Sequence, residues 1–141
     1  MTSRLASKGF RWAAIALAFG LAGQGQAHHS FAAEFDAAKP VTVEGEVTKV
    51  RIVNPHSWIY LDVKNKDNSV TNWGFEFGTP ILLKTKGLAK EDVEPGTHVR
   101  IEGYRSRNGG AFGYTRLVKL GDGRSFLVGS AADAPGAEVK R

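Results

Sequence analysis

Histidine is the residue type best equipped for chemistry in this sequence, and three of the four, His28, His29 and His56, are candidates for one site. A chain cut after Ala27 would begin with His28, which then offers an α-amino nitrogen and an imidazole from a single residue. One further imidazole, from His56 or His29, completes a three-nitrogen set of the kind that suits Cu(II) in tetragonal geometry. Each histidine also has a plainer reading. His29 can be an adventitious metal ligand, His56 can order its own turn beside Pro55, and His98 follows the Gly96 turn where a polar residue is expected at a strand start. A metal here would also need an acceptor for the other ring nitrogen, which no sequence pattern supplies.

Catalytic signatures do not appear. His56 and Ser57 are neighbours on an extended segment, so their side chains point apart and cannot form a nucleophile–base pair. Glu44 and Glu46 share a strand face, which reads as a solvated surface. There is no cysteine, no G-x-S-x-G and no phosphate-binding loop. The expectation is a protein that is not an enzyme, with no catalytic residue and no cofactor, copper being the alternative.

The elements that must position His56 form around the segment Asn54-Pro55-His56-Ser57-Trp58. β-Rich residues run from Val41 to Val53, broken by Gly45 where a strand of a small barrel must bend. Asn54-Pro55 ends that strand, because proline offers no ladder donor. Strands follow at Ser57 to Lys64 and Val70 to Gly78, joined by a polar loop from Asn65 to Ser69. Thr79 as cap, Pro80 at the first position and Gly87 as terminator frame a helix, with a further helical turn around Lys90 to Val93. Glu94-Pro95-Gly96 launches a strand from His98 to Arg107. Asn108-Gly109 and Asp122-Gly123 mark hairpins into strands at Tyr114 to Leu120 and Ser125 to Val128. The fold expected is mainly β: a small OB-like barrel of five to six strands with one short helix between strands three and four. An open sheet with a helix on one face is the alternative.

Alternation along the strands sorts the side chains into faces. Ser57, Ile59, Leu61 and Val63 face the core, as do Trp73, Phe75 and Phe77. That leaves Trp58 and Tyr60 outside, beside Asn72, Gly74 and Glu76, as an aromatic platform on the face where OB folds bind ligands. Asn54, His56, Trp58, Tyr60, Asn72 and Glu76 are therefore the expected ligand-binding residues. The segment 28–40 reads as an arm, with Ser30 capping a short helix, Phe31 and Phe35 on one face, and Pro40 as its stop. The simplest fate of the platform is to be covered by those two phenylalanines.

Composition bounds the rest. Arg4, Lys8 and Arg11 precede an apolar run from Trp12 to Gly23 and the small-x-small sequence Gly25-Gln26-Ala27, the pattern of a cleavable secretory signal over residues 1–27. The apolar run is too short for a span of roughly 20 residues, so no permanent membrane anchor is expected. Loss of those three basic residues lowers the formal charge from +5 to +2. The high isoelectric point is thus mostly a property of the signal, and Arg100, Arg105, Arg107, Arg116 and Lys119 are diluted by Glu91, Asp92, Glu94 and Glu102, so no nucleic-acid partner is expected. Residues 41–129 form the barrel domain, and 130–141, rich in Ala, Pro and charge, read as a disordered tail.

The strings HHSF from His28, NPHSW from Asn54, WGFEFG from Trp73, PG followed by VRIEGY from Val99, and DGR from Asp122 resemble the exported bacterial domain-of-unknown-function family 6152. The resemblance spans His28 to about Ser130 and implies an exported small β-barrel; it brings no activity and no catalytic residues. Together these readings suggest a periplasmic, monomeric binding or interaction module for a protein, peptide or glycan. The alternatives are a copper-binding protein using His28, and a structural component of an envelope assembly.

Overall fold

The structure is a computed structural model that describes residues 30–137. The expected export signal, its cleavage point, His28 and His29 lie outside the described residues.

A short helix, α1 (Phe31–Glu34), leads directly into β1 (Phe35–Arg51), followed by β2 (Ser57–Lys64) and β3 (Val70–Phe77). Helix α2 (Pro80–Thr85) and a 3-10 turn (Lys90–Val93) separate these from β4 (His98–Ser106), β5 (Phe112–Leu120) and β6 (Ser125–Leu127). The strand order is β3-β2-β1-β4-β5-β6, and β3 also pairs with β5 in parallel, so the sheet closes into a ring. This is the closed arrangement; the open sheet is set aside.

Closure requires β1 to serve two neighbours in turn. Its residues from Phe35 to Glu46 pair with β4, and those from Glu46 to Arg51 pair with β2. Gly45 sits at the changeover, where a Cβ would collide with the Asp62 carbonyl of β2. The glycine expected at a bend is thus needed for close approach of two backbones. Alternate residues from the strands fill the ring: Val43, Val47, Ile59, Leu61, Phe75, Phe77, Val99, Ile101 and Val118 are buried in one cluster. Leu83 of α2, Leu88 and Val93 join the same core. Thr79 accepts a hydrogen bond from the Leu82 amide at 3.2 Å, with Pro80 opening the helix and Gly87 at φ 83° beyond its end, as its sequence signals predict.

Three expectations about the chain ends change. Pro40 does not stop the arm: it lies within β1, in register with Tyr104 of β4. The β2 pairing begins only at Glu46, so the other edge of β1 has no partner strand at Pro40, and a missing donor is tolerated there. Ser30 stands at the cap position of α1 without a side-chain cap bond; Asp133 does that work. In residues 130–137, expected within a disordered tail, Ala134 is buried and Ala131 packs beside it in a cluster with Phe31, Phe35 and Tyr114.

Candidate functional site

β3 changes character along its length. Its first half alternates in exposure, but Gly74, Phe75, Glu76 and Phe77 are all buried, so this end is covered on both faces. One face is the ring core. A second cluster, Phe31, Phe35, Tyr114 and Ala134 with Tyr104, Phe112 and Ala131 packed against it, forms beside the other.

That second cluster is built from both ends of the described residues. The Phe31 ring meets Tyr114 edge-on at 5.1 Å and Tyr104 at 5.4 Å, and the Phe35 ring stacks on Phe112 at 6.2 Å. Such tilted and offset pairs add to the burial of large apolar rings. The Phe31 and Ala32 amides donate to the two carboxylate oxygens of Asp133 at 3.0 and 3.2 Å. From the other side Arg107 holds the arm, its Nε donating to the Ala32 carbonyl at 2.8 Å and its amide to the Glu34 carbonyl at 2.9 Å. The Ala131 amide donates to the Tyr114 hydroxyl at 3.0 Å.

Between this doubly anchored roof and the corner after β1 lies a cavity of about 560 Å³. Ser30, Phe31, Glu34 and Phe35 line it from the arm, His56, Trp58, Glu76 and Tyr114 from the ring, and Ser130 to Asp133 from the C-terminal segment. The β2–β3 register explains two of these positions. Trp58 stands opposite Glu76, so their side chains share a face. His56, two residues before Trp58, is brought to the same side. Its Nδ1 lies 2.8 Å from Oε1 of Glu76, with side-chain exposures of 28% and 12%. Nδ1 is buried. The contact is an ion pair when His56 is protonated. The Asn54–Pro55 peptide just before it is cis. Ser57, fully buried, donates from its hydroxyl to the Val53 carbonyl at 3.4 Å and ties the corner back to the end of β1.

Apart from His56, the ionisable side chains of the charged residues lining this cavity are acidic. Glu34, Glu76 and Asp133 contribute carboxylates, and among the described residues that line it there is no lysine or arginine. The field is felt by Tyr114, whose phenol is pushed up from its usual pKa first by burial and further by the charges of Glu76 and Asp133. Asp133 is itself held below the usual carboxylate range by the amides of Phe31 and Ala32. Such a lining favours a cation. Among the described residues no three His, Asp or Glu side chains converge closely enough to hold a metal ion by themselves.

Of the six residues expected to bind a ligand, His56, Trp58 and Glu76 line the cavity. The other three do not. Asn54 is exposed at the corner. Asn72 donates to Asp62 at 2.8 Å and to Thr48 at 3.1 Å in a network on the outer surface of the sheet. Tyr60 stands opposite Gly74, with the Lys49 ammonium 5.8 Å from its ring centre. The aromatic platform is therefore divided: Trp58 packs against Phe112 at 5.1 Å, and Phe31 and Phe35 gather on Tyr114 instead of covering Trp58 and Tyr60. His98 lies 3.9 Å from Glu44 on an exposed face, away from the cavity. Arg100 and Arg116 flank Glu102 on the same outer surface at 3.7 and 3.0 Å.

Sequence reasoning missed Tyr114, Glu34 and Asp133. For Tyr114 the alternation of β5 could have signalled a buried polar ring. Nothing local marks Asp133, because its role depends on a partner 102 residues away.

A model of a family of unknown function (DUF6152) matches residues 16–115. No curated protein matches the chain.

Proposed function

The chain belongs to that family, which carries no activity with it, and we propose that it is a non-enzymatic, exported binding module whose ligand is a cation held in the cavity at the His56 corner. One observation carries this reading: Glu34, Glu76, Asp133 and His56 line an aromatic-walled cavity whose lining, among the described residues, has no lysine or arginine. Ligand sites are typically concave and apolar, with a few placed polar groups, and this cavity has that composition. Trp58 and Tyr114 supply aromatic rings to the lining, a group type that attracts cations. Export rests on the signal expected over residues 1–27, and the absence of catalysis on the lack of any nucleophile–base pair in the sequence.

Trp58 serves as the reporter. Its emission, in a Trp73→Phe background, is followed while Cu(II), Zn(II) and tetramethylammonium are added separately, with sulfate as the anionic control. Saturable changes with at least one cation, weakened at least tenfold by Glu76→Gln, support the reading. A response equal for sulfate, or one indifferent to Glu76, overturns it.

A further inference from the structure

We propose that a second site, a groove beside α2, takes a short aliphatic carboxylate, its chain on the apolar floor and its head group met by Lys84 and Lys90. The groove shares no lining residue with the cavity at the His56 corner, so it stands apart from the cation reading.

The way α2 ends produces the groove. The Leu88 amide donates to the Leu83 carbonyl at 3.0 Å and the Gly87 amide to the Lys84 carbonyl at 3.1 Å, with Gly87 in the left-handed region at φ 83°. Such a pair of bonds reverses the chain at a helix C-terminus and brings the apolar residue after the glycine back toward the last turn. Leu83 and Leu88 are accordingly 2% and 4% exposed and belong to one core cluster. Beyond them, the 3-10 turn is pinned by the buried Val93 and by the Ala89 amide, which donates to Asp92 at 3.0 Å. Ile52, one residue past β1, and Pro80, the first of α2, complete the apolar lining of a groove of about 320 Å³. That volume is near the lower end of the range for small-molecule sites.

The lining narrows the occupant. Its apolar side chains are aliphatic, and among the described residues that line it there is no aromatic ring to stack on and no Ser, Thr, Asn or Gln to hydrogen-bond. A ligand there is held along a hydrocarbon chain. The ionisable side chains of the lining are Lys84 and Lys90, both exposed, with no acid beside them. Glu91 and Asp92, the nearest acids in sequence, do not line the groove, and Asp92 is engaged by Arg124 at 2.7 Å. Two ammonium groups favour an anion and disfavour an amine. Lys84 also sits in the last turn of α2, where a cation complements the helix dipole. Lys90 opens the 3-10 turn and gains nothing of that kind.

The test titrates the full chain, labelled with 15N, with octanoate below its micelle concentration and follows the backbone amide shifts. Octanol, octylammonium and butanoate are titrated for comparison. The expected result is a saturable shift of the Gly87, Leu88 and Ala89 amides by octanoate, with an affinity at least tenfold above that of octylammonium. Butanoate binds more weakly, by up to about fourfold per methylene removed. Lys84→Gln combined with Lys90→Gln weakens octanoate at least fivefold and leaves octanol unchanged. Ala89→Phe fills the groove and removes the response to both. The two lysines are exposed, so their replacement keeps the test decisive if Ala89→Phe proves unstable.

Equal affinity for octanoate and octylammonium, or octanoate binding indifferent to both lysines, overturns the proposal. Shifts confined to the His56 corner do the same, as does a response seen only with micelles or anionic vesicles, which would make this surface a membrane contact. No saturable response to octanoate also overturns it, and none of these outcomes touches the Glu76-dependent cation response of the other cavity.

Discussion

Asp133 caps the backbone of Phe31 at 3.0 Å across 102 residues of sequence, joining the two ends of the described chain above the cavity. Replacing Asp133 with Ala should release the arm without unfolding the ring. The carboxylate faces solvent, so the cost belongs at the low end for a lost helix cap, about 0.5 kcal/mol. The Phe31 and Ala32 amides should lose protection in hydrogen exchange while those of β2 and β3 keep theirs. Equal protection in the variant would show that ring packing alone seats the arm.

The same contact sets a pH dependence. The folded pKa of Asp133 is lowered by its bonds to Phe31 and Ala32. Its contribution is therefore fully present above the unfolded carboxyl pKa of about 4 and is lost as pH falls through the lowered folded value. Arm protection should stay flat between about pH 5 and 8 and fall only in acid. A loss centred near neutrality would assign the latch to a different group.

Tyr114→Phe keeps every ring contact but removes the hydroxyl that accepts from the Ala131 amide. An unsatisfied part-buried donor should cost about 1 kcal/mol. For a domain of this size that is a drop in Tm of roughly 4–8 °C. A Cβ at Gly129 would crowd this same hydroxyl, so Gly129→Ala should displace the segment by a second route. Unchanged Tm in both variants would remove the hydroxyl from the account of how residues 130–134 are held.

Gly45→Ala places a methyl against the Asp62 carbonyl where β1 changes partner. Overpacking of this kind costs about 1–3 kcal/mol. The shift should appear as a lower urea midpoint with an unchanged m-value. A variant as stable as the parent would mean that the strands separate there at no cost.

Phe112→Ala uncovers Trp58, whose ring it meets at 5.1 Å. In a Trp73→Phe background the emission should shift to longer wavelength, and quenching by acrylamide should increase. Identical spectra would place the cover of Trp58 elsewhere.

The strands were legible because their side chains alternate and their ends carry explicit signals: Asn54-Pro55, Asn108-Gly109, Asp122-Gly123, and the Thr79-Pro80 helix start. The helix between β3 and β4, and the burial of Phe75, Phe77, Ile59 and Leu61, followed from the same patterns. Half of the candidate site was legible too, since His56, Trp58 and Glu76 are fixed by strand faces and a corner. What could not be read was how the ends pack. Pro40 looked like a stop because its tolerance depends on where β2 begins to pair. Phe31 and Phe35 were correctly expected to dock, but which rings receive them depends on β5, whose Tyr114 and Phe112 stand between them and Trp58. Asp133 lies in a stretch whose composition resembles a solvated tail, and only its long-range partners distinguish it.

The cavity's roof joins an early residue to a very late one, and this gives the site an order of assembly. Phe31 emerges early and its cap, Asp133, only after 101 intervening residues have followed. The ring strands can pair before that point, but the cavity cannot be closed. A chain emerging from a ribosome or a translocation channel therefore carries an open, incompletely walled pocket until the segment with Asp133 is free.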